Sequence, residues 1–397
     1  MNKLSPPDRR YDLDWLRVLA IALIFLFHST RAFDNYLGWH VKNNQLSDVF
    51  LLPALIGSLW MMPLFFVLSG AATCFSLRSR PVGSFIQTRF LRLGVPLITL
   101  GWFVLSPPQV YIERITTRYN TPAFAGSFLA YLPHYLEGVY GSGGNFALEG
   151  LHLWYLYWLL LFSLIALPLF MALNGIGGRR LIGAMAAVVA RPGGIFLFAL
   201  PLCLAEVTVR LGIAPNQEDG GWFIVTYFFL MMNGFVLAAD ERFGLATERH
   251  RWPALVLAIA LPTALVWLFP GQLMWWEPTS WPLAGVLKAT SCWLVVVAML
   301  GFGRAHLNVA HPYLRYASEL ALPFYILHQP IIVFLAYGMR NWELGIATKL
   351  LILITSACAV TVLLYVLLVR RFNGLRFLFG MSLLPRGTAV TQQIVQQ

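Results

Sequence analysis

Apolar stretches of about 20 residues recur along almost the whole chain, and that is the length a helix needs to cross the hydrocarbon of a bilayer. Charged residues are only 11% of the sequence and hydrophobic ones 58%, whereas soluble domains carry roughly a quarter charged residues. A soluble body built from this chain would lack the polar surface to cover itself; a bilayer removes that need. The expectation is an all-α integral membrane protein, a bundle of about ten transmembrane helices forming one domain over residues 1–384. A polar, disordered tail is expected at 385–397. The expected spans are 13–33, 50–76, 90–107, 150–173, 193–212, 221–240, 253–270, 282–303, 319–338 and 349–369.

Basic residues orient the bundle. With the N-terminus inside, the inner segments carry 19 Lys and Arg, from Lys3 to Arg386, and the outer ones seven, among them Arg31, Lys42, Arg114 and Lys349. The positive-inside rule then places both termini in the cytoplasm and turns the long 108–149 loop outward. The same distribution argues against nucleic acid as a partner: the net charge of +11 sits in short loops and forms no patch. Cys74, Cys203, Cys292 and Cys358 lie in or beside apolar runs without metal-ligand spacing, so they are read as small apolar residues and no metal is expected. The first apolar run contains Asp14, Arg17 and His28 and has no small-residue cleavage site after it, which argues against a cleaved signal peptide.

The stretch YDLDWLRVLAIALIFLFHS, from Tyr11 to Ser29, concentrates ionisable groups. Arg17 and His28 are eleven residues apart, about three helical turns, so they share a face roughly 16 Å apart along the axis. Asp14 stands at i,i+3 from Arg17 and can pair with it. Two readings stay open. The pair anchors the helix at the inner interface and His28 satisfies a neighbouring backbone group; or His28 transfers a proton, the task for which imidazole is suited near neutral pH. Ionisable groups at membrane depth face a bundle interior or a watery cavity, and others are candidates to line the same one. They are Ser69 in FFVLSG, Glu149 and His152 in EGLHLWYL, Lys288, and His328 in PFYILHQP. Glu206 and Arg210 read as a structural i,i+4 pair. Pro330 should leave carbonyls unpaired close to His328. Arg89 and Arg92 in RFLRLGVP read either as positive-inside anchors or as an anion site, because guanidinium groups suit phosphates.

Taken together, these motifs resemble the acyltransferase 3 family of membrane-bound acyltransferases over nearly the whole chain. The arginine and histidine separated by ten residues, here Arg17 and His28, are the most specific element. FFVLSG, the arginine-rich segment ending in Pro96, HLWYL and YILHQP follow in the family's order. WHVKN (Trp39–Asn43) and RLGVP resemble the branch that succinylates osmoregulated periplasmic glucans. The spacing from Arg92 to Pro96 differs by one residue from a common form of its motif, and the fused extracytoplasmic domain of some members is not expected here. The resemblance implies a multi-pass protein of the bacterial inner membrane, an acyl-CoA donor on the cytoplasmic side and a periplasmic glycan acceptor. It makes His28 the catalytic histidine, with Arg17 and Asp14 its motif partners, and places Arg89 and Arg92 where the donor's phosphates enter. No permanently bound cofactor is expected beyond acyl-CoA as donor substrate. Direct attack by the sugar hydroxyl and transient acylation of His28 are both compatible with the residues, and homo-oligomer formation is left open. The rival from another class is a secondary transporter, which would also carry midplane ionisable groups; the sequence shows no repeat symmetry to support it.

Overall fold

The computed structural model describes residues 9–35, 38–116, 123–214, 218–268 and 282–385. The expected disordered tail lies outside the described residues from 386 onward, as does 117–122 of the long loop. Six helices are long and apolar enough to cross a membrane: Tyr11–Thr30, Asp48–Ser79, Val82–Ile115, Pro282–His306, Pro312–Met339 and Ile346–Val369. Two bent pairs, Leu151–Ile165 with Leu167–Asn174 and Ile224–Leu237 with Glu241–Arg249, raise the number to as many as eight among the described residues. The chain is therefore a multi-pass, all-α membrane protein. Of the ten expected spans, that at 193–212 has no full-length counterpart among the described residues, and the end of that at 253–270 lies outside them. Helix is present there, at Leu200–Arg210 after a short 3-10 turn and at Arg251–Leu268.

The chain divides into two compact units. The first comprises the chain up to Ala20, Ile56–Phe85 and Phe162–Ser318. Its helices meet through glycines. A Cβ on Gly70 would fall 1.9 Å from the carbonyl oxygen of Met231, and one on Gly234 would fall 1.9 Å from that of Val67. The Leu51–Ser79 and Ile224–Leu237 helices thus cross backbone to backbone, the small-residue packing that membrane helices use when no hydrophobic force separates lipid from protein contact. Aromatic stacks flank this crossing, with Phe66 on Tyr227 at 4.6 Å and Phe170 on Phe235 at 4.4 Å. The 107° break before Glu241 is set by Asp240, whose carboxylate accepts the Arg242 N–H at 3.0 Å and caps the next helix. Ile176–Val189, where hydropathy suggests only a loop, is also helical and buries Ile182, Ala186 and Val189.

The second unit comprises Ile21–Leu55, Ile86–Leu161 and the chain from Glu319. Its core gathers Phe25, Phe33, Val41, Ile112, Phe324, Ile332, Val333, Leu353 and Ala357. The helix beginning at Val82 changes character after Arg89. It widens into π-helix over Phe90–Gly94 and again over Leu97–Leu105, on either side of Pro96, which has no N–H to give. Within it Thr99 donates its hydroxyl to the Val95 carbonyl at 2.7 Å. Pro312–Met339 runs as one helix through Pro323 and Pro330. Buried charges cluster around the turn after Thr30: Arg31 and Lys42 both hold Asp34, at 2.7 and 2.6 Å, and Lys349 donates to Asn43, Asn44 and the Trp342 carbonyl.

Candidate active site

Pro330 determines the arrangement of the site. A helical residue normally gives its N–H to the carbonyl four positions back, and a proline cannot, so the Ile326 carbonyl loses its partner. His152 supplies it, with Nε2 at 3.0 Å from the Ile326 oxygen. The Tyr325 hydroxyl fastens the same contact from the other side by donating to the His152 carbonyl. The backbone entering His152 is itself unusual. Gly150 has φ +77° and Leu151 φ +54°, a left-handed conformation that a branched side chain adopts only when its surroundings hold it there. Glu149 therefore lies in the turn before this break and does not share a helical turn with His152.

Two residues before Pro330, His328 turns Nδ1 toward the carbonyls of Tyr325 at 2.7 Å and Phe324 at 3.2 Å, and Nε2 toward His28 Nδ1 at 2.9 Å. The two imidazoles are nearly coplanar, 5.1 Å between centroids, and His152 meets His328 edge-on at 5.6 Å. A carbonyl only accepts, so a ring nitrogen facing one must carry the proton. With neutral rings the pattern has one solution. His328 is protonated on Nδ1, its Nε2 accepts the Nδ1–H of His28, and the lone pair of His28 is left on Nε2. That atom has no hydrogen-bond partner among the described residues. His152, protonated on Nε2, keeps a lone pair on a buried, unpaired Nδ1. His28 thus presents a base whose tautomer is fixed by the residue behind it, the geometry that general-base chemistry requires.

The structure distributes the other candidates between the units. Asp14 and Arg17 pair at 3.3 Å in the first unit, where Arg9 also holds Asp14 at 2.8 Å. Ser69 belongs to the same unit, half-buried, with its carbonyl accepting from Thr73. Lys288, 3% exposed, donates to Glu206 at 3.2 Å and to the Gly221 carbonyl at 2.5 Å, with its ammonium over the Trp222 ring. Glu206, read from spacing as a partner of Arg210, thus holds Lys288 as well as the Thr226 hydroxyl. The histidines share the second unit with Arg89, which is half-buried, and Arg92, which is exposed. The C-terminal segment closes on Arg92: a Cβ on Gly380, at φ +66°, would lie 2.7 Å from the Arg92 carbonyl oxygen. Among the described residues no group of three or more His, Cys, Asp or Glu side chains is arranged to hold a metal.

A second buried polar chain joins residues that the sequence patterns do not connect. His40 Nδ1 meets Glu113 at 2.9 Å, and its Nε2 meets the Gln329 amide nitrogen at 3.1 Å. Glu113 also accepts from Tyr140 at 2.8 Å and from Arg114 at 3.2 Å. Beyond it the loop packs on aromatic rings, Tyr131 and Tyr135 among them. Burial pushes the Tyr135 phenol up to about 12 and that of Tyr131 higher still. His40 lies in WHVKN and Gln329 in YILHQP, both motifs visible in the sequence; the partner Glu113 carries no local signal.

Comparisons with known proteins give the family. The acyltransferase 3 profile, described as an acyltransferase domain, matches residues 10–370. The chain is 22% identical over 389 residues to the glucans biosynthesis protein C of Shigella dysenteriae serotype 1, covering 94% of this chain and 95% of that one. The same identity and coverage hold for glucans biosynthesis protein C from two strains of Escherichia coli. No solved structure matches. A multi-pass helical protein matched over most of its length by that profile is a membrane acyltransferase, and the chain belongs to the acyltransferase 3 family.

Proposed function

We propose that the chain moves a succinyl or acetyl group from a cytoplasmic acyl-CoA to a hydroxyl of a periplasmic glucan, working in the bacterial inner membrane with both termini in the cytoplasm. The observation that carries this reading is the hydrogen bond from His28 Nδ1 to His328, which leaves the lone pair of His28 on a free Nε2. In the reaction, Nε2 takes the proton of the sugar hydroxyl while the oxygen attacks the thioester carbonyl. The carbon–sulfur bond then breaks, the acyl group stays on the sugar, and the imidazolium returns its proton to the leaving thiolate. Arg89 and Arg92 hold the donor's phosphates at the inner end, where guanidinium groups pair with them. The glucan acceptor is supported by the name of the relatives, and the orientation by the bias of basic residues toward the inner segments. Six, eight or ten spans all leave both termini on one side.

The test is to incubate the purified protein with labelled succinyl-CoA or acetyl-CoA and a glucan. Label should enter the glucan as a base-labile ester. Glucan that crosses a vesicle membrane without gaining label would instead make the chain a transporter.

A further inference from the structure

Gln329 follows His328 in a membrane-crossing helix and is 4% exposed, yet its carboxamide is mostly unsatisfied. An amide offers two N–H donors and two lone pairs. One N–H goes to His40 Nε2 at 3.1 Å; the other N–H and the oxygen have no hydrogen-bond partner among the described residues. An amide with this capacity to spare can take a further polar partner. The amide is also firmly held. His40 accepts from it only because its Nδ1–H is committed to Glu113, and Glu113 is fixed by Tyr140 and Arg114. Arg114 is anchored in turn by Asn145 at 2.7 Å and the Gly144 carbonyl at 2.8 Å.

We propose that Gln329 binds the acceptor sugar through its free N–H and carbonyl oxygen, with the Glu113–His40 pair holding the amide in place. The proposal rests on the acyltransferase reading above and adds the residue that seats the acceptor. A carboxamide suits this ligand: each sugar hydroxyl both donates and accepts, and a neutral planar group offers one of each without introducing charge. Placement favours the acceptor over the donor. One end of the unit is marked by Asn43, bonded to Lys349 and to the Met339 carbonyl; the other by Arg376, bonded to Glu319, and by Arg92 beneath Gly380. Gln329 stands midway, ten residues or about 15 Å of helix from Glu319 and from Met339. It is tied, through His40 and Glu113, to the loop that faces the acceptor's side.

Binding of a glucan oligosaccharide to the purified full chain, measured by calorimetry, tests this without requiring turnover. Gln329→Leu should weaken glucan binding about tenfold or more, the scale of one or two lost hydrogen bonds, while the donor KM stays within about twofold. Gln329→Asn keeps the polarity but withdraws the amide by one methylene, and should weaken glucan binding in the same direction if the leucine variant fails to fold. Glu113→Ala should raise the acceptor KM with a smaller effect on kcat. Unchanged glucan affinity in the Gln329 variants overturns the proposal, as does an equal rise in both KM values accompanied by lost thermal stability. His28→Ala separates this claim from the base assignment: it should abolish turnover and leave glucan affinity unaltered. Activity retained in that variant removes His28 as the base, while the Gln329 binding result still decides the present claim.

Discussion

His28 and His328 are 300 residues apart in the chain and 2.9 Å apart in the fold, so each variant of one reports on the other. General-base catalysis contributes about 10²–10⁴-fold, and His28→Ala should lose at least that much kcat while the protein still inserts. His28→Gln keeps a hydrogen-bonding group but has no basic nitrogen, and should be nearly as inactive; substantial activity would make His28 a structural residue. In the proposed mechanism His328 stands behind it as a positioning residue. His328→Gln retains an acceptor for the His28 N–H, whereas His328→Leu retains none, so Leu should be the slower by about tenfold, ~1.4 kcal/mol of barrier. Equal rates in the two variants, measured at saturating donor and acceptor, would contradict the tautomer assignment. Sequence spacing singles out His28 and Arg17 as candidates because helical periodicity is local, and Pro330 announced an orphan carbonyl for the same reason. That His152 would fill it, or that Glu113 would hold His40, depends on contacts across 174 and 73 residues, which no local pattern encodes.

At the level of elements, the glycine crossing and the Lys288 cluster are read as structural, which separates them from the site. Gly70→Leu must push apart a pair of helices whose backbones already touch, and overpacking of this kind costs about 1–3 kcal/mol. The expected result is a lower unfolding temperature in detergent; an unchanged one would show that the crossing yields. Lys288→Met leaves Glu206 buried with its ammonium partner gone, and breaking such a pair costs about 3–5 kcal/mol. Lys288→Met combined with Glu206→Gln should recover some of that stability. If the single variant instead unfolds normally and loses turnover, Lys288 belongs to the chemistry after all. The apolar runs mark the positions of the long helices well. They are less informative at Ile176–Val189, where glycine and paired arginines obscure a helix with one buried face, and at the break before Glu241, which follows from a cap rather than from hydropathy.

For the whole molecule, topology and vectorial chemistry stand together. Reporter fusions in the 108–149 loop and at the C-terminus should report opposite sides of the membrane; the same side for both would remove the separation of donor and acceptor. Arg89→Ala combined with Arg92→Ala should raise the donor KM with kcat nearly unchanged at saturating donor, and an unaltered donor affinity would leave these arginines as topological anchors. The most direct measurement uses sealed proteoliposomes with labelled succinyl-CoA or acetyl-CoA confined to one side and a glucan to the other. The account predicts ester-linked label on the glucan when the two substrates face opposite sides, and its loss in vesicles carrying His28→Gln. Label appearing only when both substrates share a side, or appearing undiminished with the glutamine variant, would contradict it.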